Sequence, residues 1–211
     1  MKSKIDIQEL YCGVQGSGKT WAMRADVKRY IEPKTKRRNS WELIGGTLRD
    51  GVENIGPDLL VFDPFGEWRD PDAFDIKGAP VLDLSETRFS GSTSQRWPYL
   101  ATSDKDLFLD YAERAHGSVI VTEELLHFDR SDFVRFRRLS SSRRHKGNAL
   151  FASTQRPSHL PVIMVSSCTQ IHVLRLISKD DSKRLIGFAN HTLKSEDFSC
   201  FTPGQRVKLL T

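Results

Sequence analysis

A glycine-rich stretch near the amino terminus carries the residue types that bind phosphate. Residues 13–20 read Gly-Val-Gln-Gly-Ser-Gly-Lys-Thr, the complete GxxxxGK[ST] pattern of a phosphate-binding loop. Glycines allow the backbone to curl so that successive N–H groups point at phosphate oxygens. Lys19 can reach the β- and γ-phosphates, and the Thr20 hydroxyl can ligate Mg²⁺. We therefore predict that ATP with Mg²⁺ binds to these residues of the loop: Gly13, Gln15, Gly16, Ser17, Gly18, Lys19 and Thr20.

The residues on either side of the loop fit a strand and a helix. Residues 5–11 alternate apolar and polar side chains, as a short strand does. After the loop, Met23, Val27 and Ile31 recur at helical spacing as far as Pro33, where we expect the helix to end. The strand and the helix argue against a chance glycine-rich turn, and the amino terminus of the helix adds partial positive charge for the phosphates.

A second strand ends in two acids. Residues 119–122 read Val-Ile-Val-Thr, and Glu123 and Glu124 follow at once. An apolar strand ending in two carboxylates has the form of a Walker B element, in which one acid holds Mg²⁺ and the other activates the attacking water. We assign Glu123 to the metal and Glu124 to the water, although the usual pair is Asp-Glu. The alternative is that two surface glutamates cap the next helix.

Two further strands end in polar residues. The apolar strand at 149–154 leads into Gln155, whose amide can touch both the γ-phosphate and the attacking water if this strand is a neighbour of the Walker B strand. The buried strand at 59–62 leads into Asp63 and Glu67. These acids either belong to a plain Asp-Pro turn or face the nucleotide or a subunit boundary, because α/β folds bind ligands at the carboxyl ends of their strands.

The rest of the pattern alternates strands with helices. We expect an edge strand at 80–84, helices at 104–115 and 180–188, a strand at 171–176 and a short strand at 41–44. Asp129 or Ser131 can cap a helix that carries Phe133, Phe136 and Leu139 on one side, and residues 201–209 predict a hairpin around Pro-Gly. The fold class is therefore α/β, a three-layer sandwich with a mostly parallel central sheet, helices on both faces and a C-terminal β-hairpin, in a single domain spanning residues 1–211.

Composition narrows the class of protein. The chain has 211 residues, 38% of them hydrophobic and 28% charged, and its apolar runs are too short to cross a bilayer. The amino terminus lacks the apolar core of a signal peptide, and three dispersed cysteines suit a reducing compartment. The net charge of +5 and the basic residues at 34–38 and 135–146 favour a polyanionic partner, although each cluster could equally be a solvated face.

From the Walker B strand onward, the sequence resembles the FtsK/HerA superfamily of DNA-pumping ATPases. The resemblance rests on Thr-Glu-Glu-Leu at 122–125, Arg-His-Lys-Gly at 144–147, Ser-Thr-Gln-Arg-Pro-Ser at 153–158 and Asp-Ser-Lys-Arg at 181–184, together with residues 61–68. It implies a P-loop NTPase fold and a ring, usually hexameric, with ATP between subunits. One subunit would supply Lys19, Thr20, Glu123, Glu124 and Gln155, and its neighbour an arginine finger at Arg144 or Arg184.

The small size of the chain is similar to that of the packaging ATPases of membrane-containing icosahedral viruses, which drive double-stranded DNA into a preformed capsid. This resemblance implies sequence-independent DNA binding, a portal, capsid-vertex or membrane protein as a docking partner, and a location in the host cytoplasm or at the packaging vertex. Basic loops at 34–38 or 90–96 are candidates for the DNA grip, because a sequence-independent pump needs phosphate contacts.

Two other functions fit the phosphate loop. A small P-loop kinase would need an acceptor pocket and an arginine-bearing lid, which the sequence does not suggest, and it would not need paired Walker B acids with a glutamine sensor. A secretion or assembly ATPase of the Zot type would bind a protein or a membrane pore more tightly than DNA. The response of ATP turnover to double-stranded DNA or to small acceptors distinguishes these alternatives.

Overall fold

The computed structural model describes residues 7–36, 59–70, 82–84, 99–188 and 198–210. Its strands are β1 Ile7–Cys12, β2 Leu59–Phe62, β3 Leu82–Asp83, β4 Tyr99–Thr102, β5 Val119–Thr122, β6 Ala149–Thr154, β7 Gln170–Val173 and β8 Val207–Leu210. Its helices are α1 Lys19–Lys36, α2 Lys105–Arg114, α3 Arg130–Lys146, α4 Val162–Ser166 and α5 Lys179–Ile186, with 3-10 turns at Leu125–His127 and Pro157–His159.

All eight described strands belong to one sheet, in the order β3-β4-β2-β5-β6-β1-β7-β8. Seven of them run parallel, and β8 pairs antiparallel with β7. The first strand of the chain therefore lies between β6 and β7, which come much later in the sequence. The carboxyl ends of β5, β6, β1 and β7 meet at one edge of the sheet, which is where an α/β fold binds its ligands.

Helices cover both faces of the sheet. On one face, α1 packs Met23, Val27 and Ile31 against strand residues such as Val61 and Val121. On the other face, α2, α3, α4 and α5 cover residues such as Leu60 and Ile120. The four residues of β2 and the four of β5 are all buried, and all but Thr122 are apolar. This pattern is typical of central parallel strands, which are covered on both faces. The predicted three-layer α/β sandwich is confirmed.

Helix α3 begins and ends as its sequence predicts. The Asp129 carboxylate accepts the backbone N–H groups of Ser131 and Asp132, and the Asp132 carboxylate accepts the N–H of Asp129 in return. This capping box satisfies N–H groups that a helix start leaves without partners. Gly147 ends the helix with φ +67°, a left-handed conformation that glycine adopts without strain. Asp129, and not Ser131, is therefore the cap.

Two expectations about elements are wrong, and one strand was not expected. Helix α1 continues through Pro33 to Lys36, although an interior proline removes one backbone hydrogen bond and crowds the carbonyl four residues before it. The C-terminal hairpin is replaced by a turn and one strand, β8, which pairs with the distant β7. Strand β4 was not predicted, because its short Tyr-Leu-Ala-Thr run lacks a clear period.

Some predictions fall outside the described residues. These are the strand at 41–44 and the loop at 90–96. Of the basic stretch at 34–38, the structure describes only the backbone of residues 34–36, which is helical. Within the described ranges, no helix combines the length and the apolar character needed to cross a bilayer.

Candidate nucleotide-binding site

The phosphate loop connects β1 to α1 at the carboxyl edge of the sheet. Gly13 N–H donates to the Thr154 carbonyl at 3.1 Å, and Val14 N–H donates to the Arg175 carbonyl at 2.9 Å. These bonds fix the start of the loop to the ends of β6 and β7. Gly16 and Gly18 have φ +71° and +88°, which side chains rarely allow.

The loop presents free donors where phosphate would bind. In the described part of the chain, the amides of Gln15, Gly16, Gly18 and Lys19 donate to no backbone carbonyl. The Ser17 hydroxyl is buried and also has no partner among these residues. Such unpaired donors at the amino terminus of a helix form an anion-binding concavity, so the predicted residues of the loop fit a polyphosphate.

Lys19 lies inside this concavity. Its side chain is 9% exposed, and its Nζ donates to the Val14 carbonyl at 3.2 Å, across the loop. Burial lowers the pKa of Lys19, and the carboxylates of Glu124 and Glu123 oppose this shift. The lysine therefore lies near both predicted acids without a direct ion pair to either one in the described structure, so it remains available to phosphate oxygens.

Glu123 lies between the phosphate loop and the segment after β2. One oxygen accepts the Thr20 hydroxyl, and the other accepts the indole N–H of Trp68, a fully buried side chain. A threonine hydroxyl and a carboxylate in contact are the donor pair that Mg²⁺ takes in P-loop NTPases. Thr20 and Glu123 therefore fit the metal-binding roles predicted for them.

Burial also sets the charge of Glu123. It raises the pKa of this carboxyl to about 6, while hydrogen bonds from Thr20 and Trp68 act in the opposite direction. The Glu67 carboxylate raises this pKa further, and the Arg24 guanidinium lowers it. Glu123 is thus ionised at neutral pH and loses its charge in mildly acidic solution.

Glu124 adopts an unusual backbone conformation beside β6. Its φ is +54°, the one positive φ at a non-glycine residue in the described ranges. Its N–H donates to Ser153 Oγ at 3.0 Å, and its Oε1 accepts the N–H of Gln155 at 3.2 Å. Non-glycine residues in this region cost of order 1–3 kcal/mol and concentrate at functional sites. The predicted position of Gln155 beside the end of the Walker B strand is confirmed, since β5 pairs with β6 and the backbone N–H of Gln155 reaches Glu124.

The capping interpretation accounts for part of this geometry. Glu124 Oε1 also lies 3.5 Å from the N–H of Leu126, at the start of the 3-10 turn. Glu123 makes no such contact and is 3% exposed, so it is not a surface cap. The pair therefore points into the nucleotide edge and not into solvent.

In the segment after β2, Asp63 takes the turn role, which was one of the two alternatives, whereas the Glu67 carboxylate lies near enough to the nucleotide edge to raise the pKa values of Lys19 and Glu123. Asp63 is fully buried, and its carboxylate accepts the N–H groups of Glu67 and Trp68, each at 3.0 Å. It folds this turn and does not face the nucleotide. Arg24 lies over the Trp68 ring at 5.5 Å and within 3.6 Å of Glu67 Oε2. Trp68 and Arg24 were missed, because only the folded chain brings them to Glu123.

The two candidate arginine fingers lie away from this edge or are held by their own chain. Arg144 is exposed in the last turn of α3, which leads back to the opposite edge of the sheet. Arg184 donates to the Leu160 carbonyl at 2.8 Å and lies over the Phe188 ring at 5.6 Å. Two other arginines, Arg156 and Arg175, lie two residues after the ends of β6 and β7 at the nucleotide edge, and Arg156 pairs with Asp181 at 3.1 Å.

A second polar cluster, here called the α1 network, lies on the α1 side of the sheet. Tyr11 OH contacts Glu9 Oε2 at 2.9 Å and Asp26 Oδ2 at 2.7 Å, and His172 Nε2 lies 2.7 Å from Glu9 Oε2. Arg206 binds Asp26 at 2.6 and 3.3 Å. Glu9, Asp26 and His172 have the residue types of metal ligands, but Arg206 already provides the positive charge that Asp26 faces.

The order of the strands, the phosphate loop and the paired acids define the chain as an α/β protein with a P-loop NTPase fold. Neither a family model nor a curated protein matches the sequence. Among solved structures, the chain is similar to the genome packaging NTPase B204 from Sulfolobus turreted icosahedral virus 2 in complex with AMPPCP. The TM-score is 0.63 at 15% identity, and the match covers 96% of this chain and 91% of that one.

A related structure gives the same result. B204, the DNA-packaging ATPase from Sulfolobus turreted icosahedral virus, matches with a TM-score of 0.60 at 14% identity over 98% of both chains. The N-terminal domain of zonular occludens toxin from Neisseria meningitidis has a TM-score of 0.42 at 15% identity, over 80% of this chain and 76% of that one. The fold of the two viral proteins is the one that the resemblance to the FtsK/HerA superfamily implied.

Proposed function

We propose that this protein is an ATP-hydrolysing DNA translocase that pumps double-stranded DNA into a preformed viral capsid. The observation that carries the proposal is the meeting of Thr20, Glu123, Glu124 and the N–H of Gln155 beside the unpaired amides of the phosphate loop. The match over nearly the whole length of two packaging NTPases supports the DNA part of the proposal.

The residues have separate roles in hydrolysis. Loop amides and Lys19 bind the phosphates, and Thr20 and Glu123 would hold Mg²⁺, which would supply positive charge to offset that of the phosphates. Glu124 accepts a proton from the attacking water, because a carboxylate fixed within reach acts as a general base. Gln155 orients that water with its side-chain amide. Trp68 holds Glu123 through the indole N–H.

The proposed active form is a ring, with six subunits as the expected number. Each site is completed by an arginine of the neighbouring subunit, which stabilises charge on the transferring phosphoryl group. The candidates from the sequence are Arg144 and Arg184. Arg156 and Arg175 are added to them because they lie at the nucleotide edge. Each arginine is changed to alanine and mixed with subunits that carry Lys19→Ala. An arginine acts in trans if its variant lowers hydrolysis in mixed rings more than simple dilution does.

The decisive experiment is an ATPase assay with and without long double-stranded DNA at two salt concentrations. We expect turnover to rise with DNA at low salt and the stimulation to fall at high salt, because phosphate contacts release counterions. Lys19→Ala is the control and should abolish both ATP binding and turnover. Turnover that rises with a small-molecule acceptor, or that ignores DNA at both salt concentrations, would contradict a translocase.

A further inference from the structure

Helix α3 divides its basic residues into two groups. Some are used inside the protein: Arg135 pairs with Asp110 at 2.6 Å and with Glu113 at 2.8 Å, and the buried Arg143 donates to the Ser140 carbonyl at 2.7 Å. Lys146 likewise donates to the Glu113 carbonyl. The contacts of Arg135 and Lys146 fix α3 to α2, and that of Arg143 lies within α3, so these three residues have structural roles.

The other group lies on the outward side of the helix and is exposed. It consists of Arg130, Arg137, Arg138 and Arg144, here called the arginine face. Within the described ranges, the guanidinium groups of Arg130, Arg137 and Arg138 make no ion pair or hydrogen bond. The helix has no acid after Asp132, and Asp132 is itself buried and bound to Lys105 at 2.9 Å. The described residues therefore leave the charges of Arg130, Arg137 and Arg138 uncompensated.

The spacing of the arginine face suits a long polyanion. Arg130, Arg137 and Arg144 are seven residues apart, so they form one line of about 21 Å at 1.5 Å per residue, with Arg138 beside it. Exposed Ser141 lies in the same line and can also donate to phosphate. A DNA duplex carries one charge per 1.7 Å of axis, so about twelve phosphates lie along this length.

The arginine face is also close in sequence to the hydrolysis site. Glu124 precedes the 3-10 turn at Leu125–His127, and only Phe128 and Asp129 separate that turn from the start of α3. Its inner side is held by buried Phe136 and Leu139, so the outward arginines are not needed for packing. A partner on this face would contact the element that is joined directly to the Walker B acids.

We propose that the arginine face of α3 is the surface that binds the phosphate backbone of double-stranded DNA. This inference rests on the proposed function, since it places the DNA of the motor on a particular helix. Arginine and serine contacts to phosphates give binding without sequence preference. The face replaces the basic loops at 34–38 and 90–96 as the first region to test.

The test measures binding of a labelled random-sequence duplex by fluorescence anisotropy over a range of salt concentrations. The triple variant Arg130→Gln, Arg137→Gln and Arg138→Gln should lower affinity at low salt about tenfold or more, and should reduce the slope of log K against log salt by about 3. The matched control removes three exposed charges elsewhere, with Arg29→Gln, Lys179→Gln and Lys183→Gln. The control should bind nearly as the wild type does.

Further measurements separate the possible outcomes. Arg137→Lys with Arg138→Lys should keep the salt slope, because the charge remains, and circular dichroism should show intact helix in every variant. If the wild type binds no duplex, the proposed function fails. If the wild type binds and the arginine variant matches the control, only the arginine face is wrong. Competition by polyglutamate as effective as competition by duplex would assign the face to an acidic protein and overturn the inference.

Discussion

Carboxylates of two regions, both close to α1, differ in what neutralises them. In the α1 network, Arg206 binds Asp26, the Tyr11 hydroxyl lies within hydrogen-bond distance of both Asp26 and Glu9 and can donate its one proton to either, and His172 Nε2 lies 2.7 Å from Glu9. Burial raises the pKa of Asp26, but the hydrogen bonds from Arg206 and Tyr11 outweigh it and leave that pKa below its ordinary value. At the nucleotide edge, Glu123 has only neutral donors, and burial raises its pKa to about 6.

This difference separates a structural cluster from a reactive one. A buried acid that already has its cation gains little from another, whereas Glu123 lacks a bonded cation among the described residues and lies beside free phosphate-binding amides. The α1 network should therefore contribute to stability and the nucleotide edge to binding and turnover. Four experiments test this division, in order of decreasing expected effect.

Glu124→Gln should have the largest effect. It keeps the size of the side chain and removes the base, so kcat should fall about 10²- to 10⁴-fold while nucleotide binding stays near wild type. Turnover by quench-flow and binding of a fluorescent ATP analogue measure the two quantities. Unchanged turnover would move the role of base to another residue. Glu113→Gln, an acid outside the nucleotide edge, is the matched control.

Trp68→Phe should weaken Mg²⁺ binding. It removes the N–H that holds Glu123, and a hydrogen bond to a charged group is worth about 1.5–3 kcal/mol, so the Mg²⁺ concentration for half-maximal nucleotide binding should rise about tenfold or more. Val61→Ala weakens the same apolar cluster without touching Glu123 and controls for lost stability. An equal rise in both variants would mean that Trp68 acts only through packing.

Arg206→Ala should lower the free energy of unfolding by about 1–3 kcal/mol, because Asp26 loses the closer and less exposed of its two arginine partners. Urea denaturation measures this change. Arg29 contacts the same Asp26 at 3.3 Å but is 76% exposed, so Arg29→Ala should change stability by less than about 0.5 kcal/mol. Loss of ATP binding in folded Arg206→Ala would break the division between the two regions.

Acidification should weaken Mg²⁺-dependent nucleotide binding. Because the folded pKa of Glu123 is raised to about 6, its charge is present above that pH and is lost as the pH falls through it. Calorimetric affinity should drop up to about tenfold between pH 7 and pH 5, by the Henderson–Hasselbalch relation. Glu123→Gln should bind metal weakly at both pH values and show a flatter profile. A wild-type profile as flat as this one would contradict the assignment of Glu123 to the metal.

Much of the nucleotide edge could be predicted from sequence because its signals are local. The phosphate loop is a continuous motif, and Glu123 follows an apolar strand that any α/β fold buries. The contact between Glu124 and Gln155 needed one more inference, that β5 and β6 are neighbours, and the pairing of these strands confirms it.

What could not be predicted depends on long-range packing. Trp68 reaches Glu123 only because Asp63 folds the intervening turn, and the sequence of that turn does not show which way the indole points. The α1 network joins residues from both ends of the chain, Glu9 and Arg206, with no motif. The pairing of β8 with β7 also depends on a partner far away in the sequence, so the local Pro-Gly signal indicated a hairpin instead.

The position of β1 in the sheet has a consequence for synthesis on the ribosome. The phosphate-loop strand ends at Cys12, yet its neighbours β6 and β7 begin only at Ala149 and Gln170, so both are synthesised much later than β1. At about 5–20 residues per second, translation leaves this hydrophobic strand without partners for on the order of 10 s. A nascent chain stalled before residue 149 would therefore lack a nucleotide site, and a chaperone would find β1 exposed during that interval.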